Sequence, residues 1–188
     1  MTLPNCSHRL RCMPYGFTSS SYVRGAADDA KLKERLERRT RGIPVVITCA
    51  AAVTALIALG VTRLALISPP WFSAEMDQQG VRYFQSQGFE VVHSGPAGLP
   101  SDQQAIQPSE LYEWVHTKTP KSAEAVFIGG NGLRAVGIIK ALEENLDRPI
   151  LTANQVVFWQ ALALSGSREP IVGYGRIFGL QVVAARSV

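Results

Sequence analysis

"GIPVVITCAAAVTALIALGVT", residues 42–62, carries no charge between Arg41 and Arg63 and can be read in two ways. A bilayer is crossed by about 20 consecutive apolar residues, so the run is long enough to be a membrane anchor. It also divides cleanly. Residues 45–48 are short and mostly β-branched, as in a buried parallel strand, while "AAAVTALIALG" (50–60) is rich in helix formers and ends on glycine. The division agrees with the rest of the chain, where short apolar runs alternate with helical patterns.

Strands are expected at 45–48, 63–68, 90–93, 125–128 and 150–152. Helices are expected at 25–39, 50–59, 72–87, 108–116, 133–146 and 155–164. Continuous apolar strands separated by helices indicate a parallel sheet covered on both faces. "SGPAGLPSDQQAIQPSE" (94–110) is the one long irregular stretch, expected as a surface loop.

The run also has a counterpart. "RPILTANQVVFWQALALSG" (148–166) repeats its order of proline, strand, small or polar turn, apolar helix and glycine. A polar helix precedes each copy, "RGAADDAKLKERLERRT" (24–40) and "LRAVGIIKALEENL" (133–146). Before these lie two strand-to-helix turns, "YGFTSSS" (15–21) and "FIGGNGL" (127–133). The pattern predicts a duplicated α/β fold: doubly wound, Rossmann-like parallel sheets in two pseudo-symmetric halves. The expected division gives the first half residues 15–61, completed by 153–188, and the second half residues 62–152. Residues 1–14 match neither. Facing halves would aim both turns into one crevice, where ligands of such sheets sit.

The two turns carry the polar chemistry. Thr18, Ser19, Ser20 and Ser21 offer hydroxyls ahead of a helix, and Gly129, Gly130, Asn131 and Gly132 offer backbone amides ahead of another. Free N–H groups at such turns cradle anions; serine caps and glycine turns also occur with no ligand. The G-x-G-x-x-G and phosphate-loop spacings are missing, and "LSGSRE" (164–169) does not supply a nucleophile elbow. His8, His93 and His116 have no evident catalytic partners. Cys6, His8 and Cys12 resemble half a zinc site without a second pair to complete it, so no metal is expected.

Composition bounds the alternatives. The chain has 188 residues, 46% apolar and 18% charged, which suits a packed globular protein. Its net charge of +4 comes from a basic N-terminal region interleaved with acids, the pattern of a solvated helix face rather than a nucleic-acid surface. Three sparse cysteines suit a reducing compartment, and residues 1–17 lack a secretory core, so a cytoplasmic location is expected.

From Tyr15 onward the chain resembles the aspartate/glutamate racemase superfamily, in the branch of arylmalonate decarboxylase and maleate cis-trans isomerase. The resemblance is carried by "GFTSSSYVRGAADDA" (16–30), the 42–70 segment, "FIGGNGLRAV" (127–136), "PILTANQVVFWQAL" (149–162) and "GYGRIFG" (173–179). It implies cofactor-free chemistry on a small malonate- or maleate-like acid, with turn hydroxyls and amides holding the carboxylate and a cysteine moving the proton. Carried over by position, Thr18, Ser19, Gly130, Asn131, Gly132 and Asn154 would bind the carboxylate. The two family cysteine positions are Phe17 and Gly130, so the proton donor is missing, and Phe17 is expected to make one crevice wall bulky and apolar. Pro70 stands where many members have tyrosine. The family also has a strand and helix ahead of the first turn that residues 1–14 do not match, so the first half is expected to be truncated. Three functions stay open: a decarboxylase or isomerase, an inactive carboxylate-binding relative, or a protein anchored in a membrane through 42–62.

Overall fold

The computed structural model describes residues 10–167 and 171–180. In it the 42–62 run divides. Strand β2 (Val45–Ile47) passes without a loop into an 11-residue helix, named α3 below (Thr48–Ala58). The helix ends at Leu59, Gly60 turns the chain with φ 68°, and Val61 N–H closes on Leu56 O at 3.0 Å. Among the described residues no helix is long and apolar enough to cross a membrane.

In chain order the other elements begin with β1 (Met13–Tyr15), α1 (Thr18–Arg24) and α2 (Ala26–Arg39). After α3 come β3 (Arg63–Ser68), α4 (Ala74–Ser86), β4 (Glu90–Pro96) and α5 (Pro108–Lys118). The last are β5 (Ala125–Ile128), α6 (Ile139–Leu146), β6 (Ile150–Thr152) and α7 (Ala153–Ser165). Two parallel sheets form: a larger one in the order β4-β3-β5-β6 and, among the described residues, a two-stranded one of β1 and β2.

The apolar runs of the larger sheet follow from its two covered faces. Side chains alternate along a strand, so Leu64, Leu66, Ala125 and Phe127 enter one core while Ala65, Ile67, Val126 and Ile128 enter another. The first core joins this sheet to Tyr22 of α1, Leu56 of α3, Phe84 of α4 and Trp159 of α7. The second packs under α5 and α6 through Leu111, Ile139 and Leu142. The small sheet shares Val46 with the first core and turns Val45 and Ile47 toward Leu32 of α2. Alanine at 51, 52 and 55 keeps the buried face of α3 smooth.

Four boundaries depart from the sequence reading, the first being β4, which runs on to Pro96 through the start of the expected 94–110 loop. Thr18–Ser21 do not precede the first helix; they are its opening turn, and Gly25 (φ 76°) separates α1 from α2. The stretch from Leu133 is not continuous α-helix, because a 3₁₀ turn at Val136–Ile138 precedes α6. Arg134 explains part of this, since its guanidinium holds the carbonyls of Gln104 and Ile106 in the long loop. The strand at Met13–Tyr15, three residues with a proline, carries too little pattern to be recognised alone.

Glu124 ties the entries of β3 and β5 together. Its carboxylate accepts from Thr62 N (2.8 Å), Thr62 Oγ1 (2.9 Å) and Arg63 N (3.0 Å). The Thr62 and Arg63 amides, with the Thr62 hydroxyl, hold its pKa down at about 2. A carboxylate with a depressed folded pKa contributes stability that is complete above its ordinary value of about 4.3 and disappears as pH falls toward 2. Urea denaturation of the natural chain and Glu124→Gln should therefore give a stability gap that is constant from pH 7 to 5 and closes toward pH 2. A gap independent of pH would contradict this role.

Candidate functional site

The two strand-to-helix turns meet. Thr18 opens α1 with its side chain buried, and Asn131 lies in the glycine turn after β5. Asn131 Oδ1 accepts from Thr18 N at 3.3 Å and from Thr18 Oγ1 at 3.2 Å. Thr18 Oγ1 in turn accepts from Gly130 N at 3.2 Å. Because a backbone N–H can only donate, Oδ1 must face Thr18, and Asn131 Nδ2 is left to donate to Asn154 Oδ1 at 2.8 Å. Asn154 Nδ2 closes the network on Asn131 O at 2.9 Å.

Each partner is placed by its own local structure. Thr152 caps α7 by accepting from Gln155 N, while Gln155 Oε1 accepts from Thr152 N; this capping box fixes the first turn of α7, where Asn154 sits. Gly129 N–H donates to Ile67 O at 2.8 Å, which anchors the second turn to β3. Gly130 has φ 79°, and a Cβ there would run into the Pro69 ring. Ser68, immediately before that proline, donates to the buried Asp77 carboxylate at 2.6 Å, fixing the turn that presses on Gly130.

Of the residues singled out in the sequence, Thr18, Gly130, Asn131 and Asn154 come together. Ser19 is half-buried and its side chain makes no hydrogen bond among the described residues, and Gly132 is exposed, with the Gln103 side chain against it. Phe17 is 60% exposed, with its ring 5.6 Å from Tyr15, and does not line the neighbouring cavity. That cavity, about 480 Å³, is lined by Gly130 and Asn154 on one side and by apolar residues including Ile128, Ile139, Phe158 and Phe178. Gln103, Pro69 and the cavity have no signal in the sequence, because distant segments supply them. The Thr152–Gln155 capping box does have one, in its T-x-x-Q spacing.

Two of the four turn amides expected to receive an anion are already paired, Gly129 N with Ile67 O and Gly130 N with Thr18 Oγ1. The Asn131 carboxamide oxygen takes the place of an anionic acceptor for the Thr18 donors, and Thr18 Oγ1 does the same for Gly130 N. No titratable side chain belongs to this network. Cys49 lies just beneath, fully buried, with Sγ 3.9 Å from Thr18 O. Burial pushes its thiol far above the ordinary range, so it stays neutral and is not a nucleophile. Deeper still, Tyr83 donates to Asp29 at 3.2 Å, and burial raises the pKa of both. Cys6 and His8 of the half-zinc pattern lie outside the described residues.

Gly130 is thus a steric requirement of this turn. Gly130→Cys should lower stability by about 1–3 kcal/mol in urea denaturation, from overpacking against Pro69 and the left-handed backbone. Adding Pro69→Ala should restore part of the loss. Equal stability of Gly130→Cys and the natural chain would contradict the contact.

The comparisons with known proteins agree with this fold. The sequence profile of the family described as arylmalonate decarboxylase matches residues 13–178. Arylmalonate decarboxylase of Bordetella bronchiseptica is 25% identical over 167 residues, covering 86% of this chain and 68% of that protein. A crystal structure of arylmalonate decarboxylase superposes with a TM-score of 0.81 at 22% identity, covering 88% of this chain and 74% of its own. A maleate isomerase from Pseudomonas putida, solved with maleate, gives 0.82 at 18% identity, with 89% and 69% covered. The Nocardia farcinica maleate cis-trans isomerase gives 0.81 at 16%, with 89% and 71% covered. The solved structures share the fold; the profile spans both turns, β6 and the segment through Phe178. The chain belongs to the arylmalonate decarboxylase family.

Proposed function

We propose that this chain binds a small malonate- or maleate-like carboxylic acid where its two turns meet, as a cofactor-independent member of the decarboxylase and isomerase group. The observation that carries the reading is the contact between Thr18 and Asn131, which gathers donors from both turns at one point. A ligand carboxylate displaces the Asn131 carboxamide and takes over its acceptor role toward Thr18 N and Oγ1. Ser19, Asn154 and the amides of Gly130, Asn131 and Gly132 complete the cradle. Fixed donors of this kind also stabilise the enediolate left by loss of carbon dioxide or by proton removal beside a carboxylate.

Phe17 and Gly130 favour a second reading, binding without turnover. Neither supplies a proton where the family resemblance puts a thiol, and Cys49 is sealed beneath the turn as a neutral thiol. Both readings keep the ligand class and differ only in chemistry. The soluble, cytoplasmic setting, without a nucleic-acid or membrane partner, belongs to the same proposal.

Thermal unfolding with malonate, phenylmalonate, maleate and acetate, paired with carbon dioxide release and maleate-to-fumarate conversion, tests this. A diacid at 100 times its Kd should stabilise by about 2.7 kcal/mol, and Thr18→Val should abolish the response. Turnover selects the enzyme, and stabilisation without turnover selects the binding protein. No response to any diacid, or a response that survives Thr18→Val, would overturn the site.

A further inference from the structure

The cavity beside Gly130 and Asn154 is a separate opportunity. Its volume of about 480 Å³ falls within the roughly 300–1,000 Å³ of small-molecule sites. Its floor is apolar, from Ile128, Leu133 and Ile139, and Val136, Phe158 and Tyr174 line it while remaining more than half exposed. Large apolar side chains left in water around a concavity mark a surface that gains by being covered.

The polar side chains of the lining are nearly all spent. Thr152 and Gln155 bond to each other, and Gln155 Nε2 also donates to Tyr174 O. Asn154 is committed at both ends to Asn131. Arg134 is different. Its Nη2 donates to Gln104 O (3.2 Å) and Ile106 O (2.6 Å), which fixes the guanidinium in place, while Nη1 and Nε have no protein acceptor among the described residues. Arg134 takes part in none of the ion pairs formed among them. The site therefore offers an apolar chamber and one held cation that no acidic side chain neutralises among the described residues.

The geometry points to a binding site for a monocarboxylate with an apolar body, its carboxylate paired with Arg134 and its body against Ile128, Ile139 and Phe158. A guanidinium suits a carboxylate because two parallel N–H donors meet its two oxygens. Arg134 is exposed, so the ion pair keeps part of its hydration while the body leaves water. A cationic or neutral molecule of the same shape gains only the apolar contact. The site shares Gly130 and Asn154 with the turn network, while Thr18 and Asn131 do not line it and Arg134 does not belong to the network.

Titration of the full chain with octanoate, octanamide and octylamine, read by amide chemical shifts, tests the assignment. Octanoate should saturate shifts at Val136 and Ile139 and bind roughly 10-fold or more tightly than octanamide. Octylamine should be the weakest. Arg134→Gln should bring octanoate down to the level of octanamide, while Arg134→Lys should keep part of the preference. Val136→Glu, an exposed change that leaves Arg134 and its loop contacts in place, should also weaken octanoate. Equal binding of octanoate and octanamide, full affinity in Arg134→Gln or Val136→Glu, or no saturable shift at Val136 and Ile139 would each overturn it. Failure of diacids to move Thr18 bears on the turn site alone, so the two outcomes stay distinct.

Discussion

The contact between Thr18 and Asn131 is the constraint on which the candidate site depends. One carboxamide oxygen accepts both donors of a buried threonine from the first turn, and the Nδ2 and backbone carbonyl of that asparagine are committed to Asn154. Removing the acceptor would leave the Thr18 amide and the hydroxyl's own donor without an acceptor in a buried place, at a cost of about 1–3 kcal/mol for such a group. The glycines answer to the same constraint. At Gly129 an added Cβ would crowd Thr18 Cγ2 and the Tyr22 hydroxyl, at 3.4 and 3.2 Å, so a larger residue would press the second turn away from the first.

The chemistry follows from what that junction contains. It is dense in donors and has no titratable side chain. Its nearest described thiol, Cys49, is held neutral by burial under the first turn. Donors placed in this way suit a ligand that brings negative charge with it. They do not move a proton by themselves. On the proposed function, recognition is thereby separable from turnover, and Asn131 is the internal group that a carboxylate would replace.

Much of the fold was legible because two-sided burial leaves short continuous apolar runs on strands. The runs at 63–68, 125–128 and 150–152 fall on β3, β5 and β6, and the 42–62 run divides as its β-branched start and alanine-rich end suggest. What escaped depends on contacts between distant segments. The start of α6 is set partly by Arg134 holding carbonyls of the long loop, and the short helix α1 ahead of Gly25 hides in a serine-rich stretch that reads as a turn. The same holds for the site. Thr18, Gly130, Asn131 and Asn154 could be picked out by type, but their pairing needs the two turns to meet. The Pro69 contact that forces glycine at 130, and the exclusion of Ser19 and Gly132 from the network, had no local signal.

The most direct test of the central claim is a malonate titration followed at the backbone amides of Thr18 and Gly130 and at the side-chain amide of Asn131. If the two turns are one ligand site with Asn131 as its internal occupant, all three signals move together with a single Kd, and the Asn131 side-chain signal shifts toward that of a solvated amide. Movement of one turn without the other, or an Asn131 signal unchanged at saturation, would contradict the account.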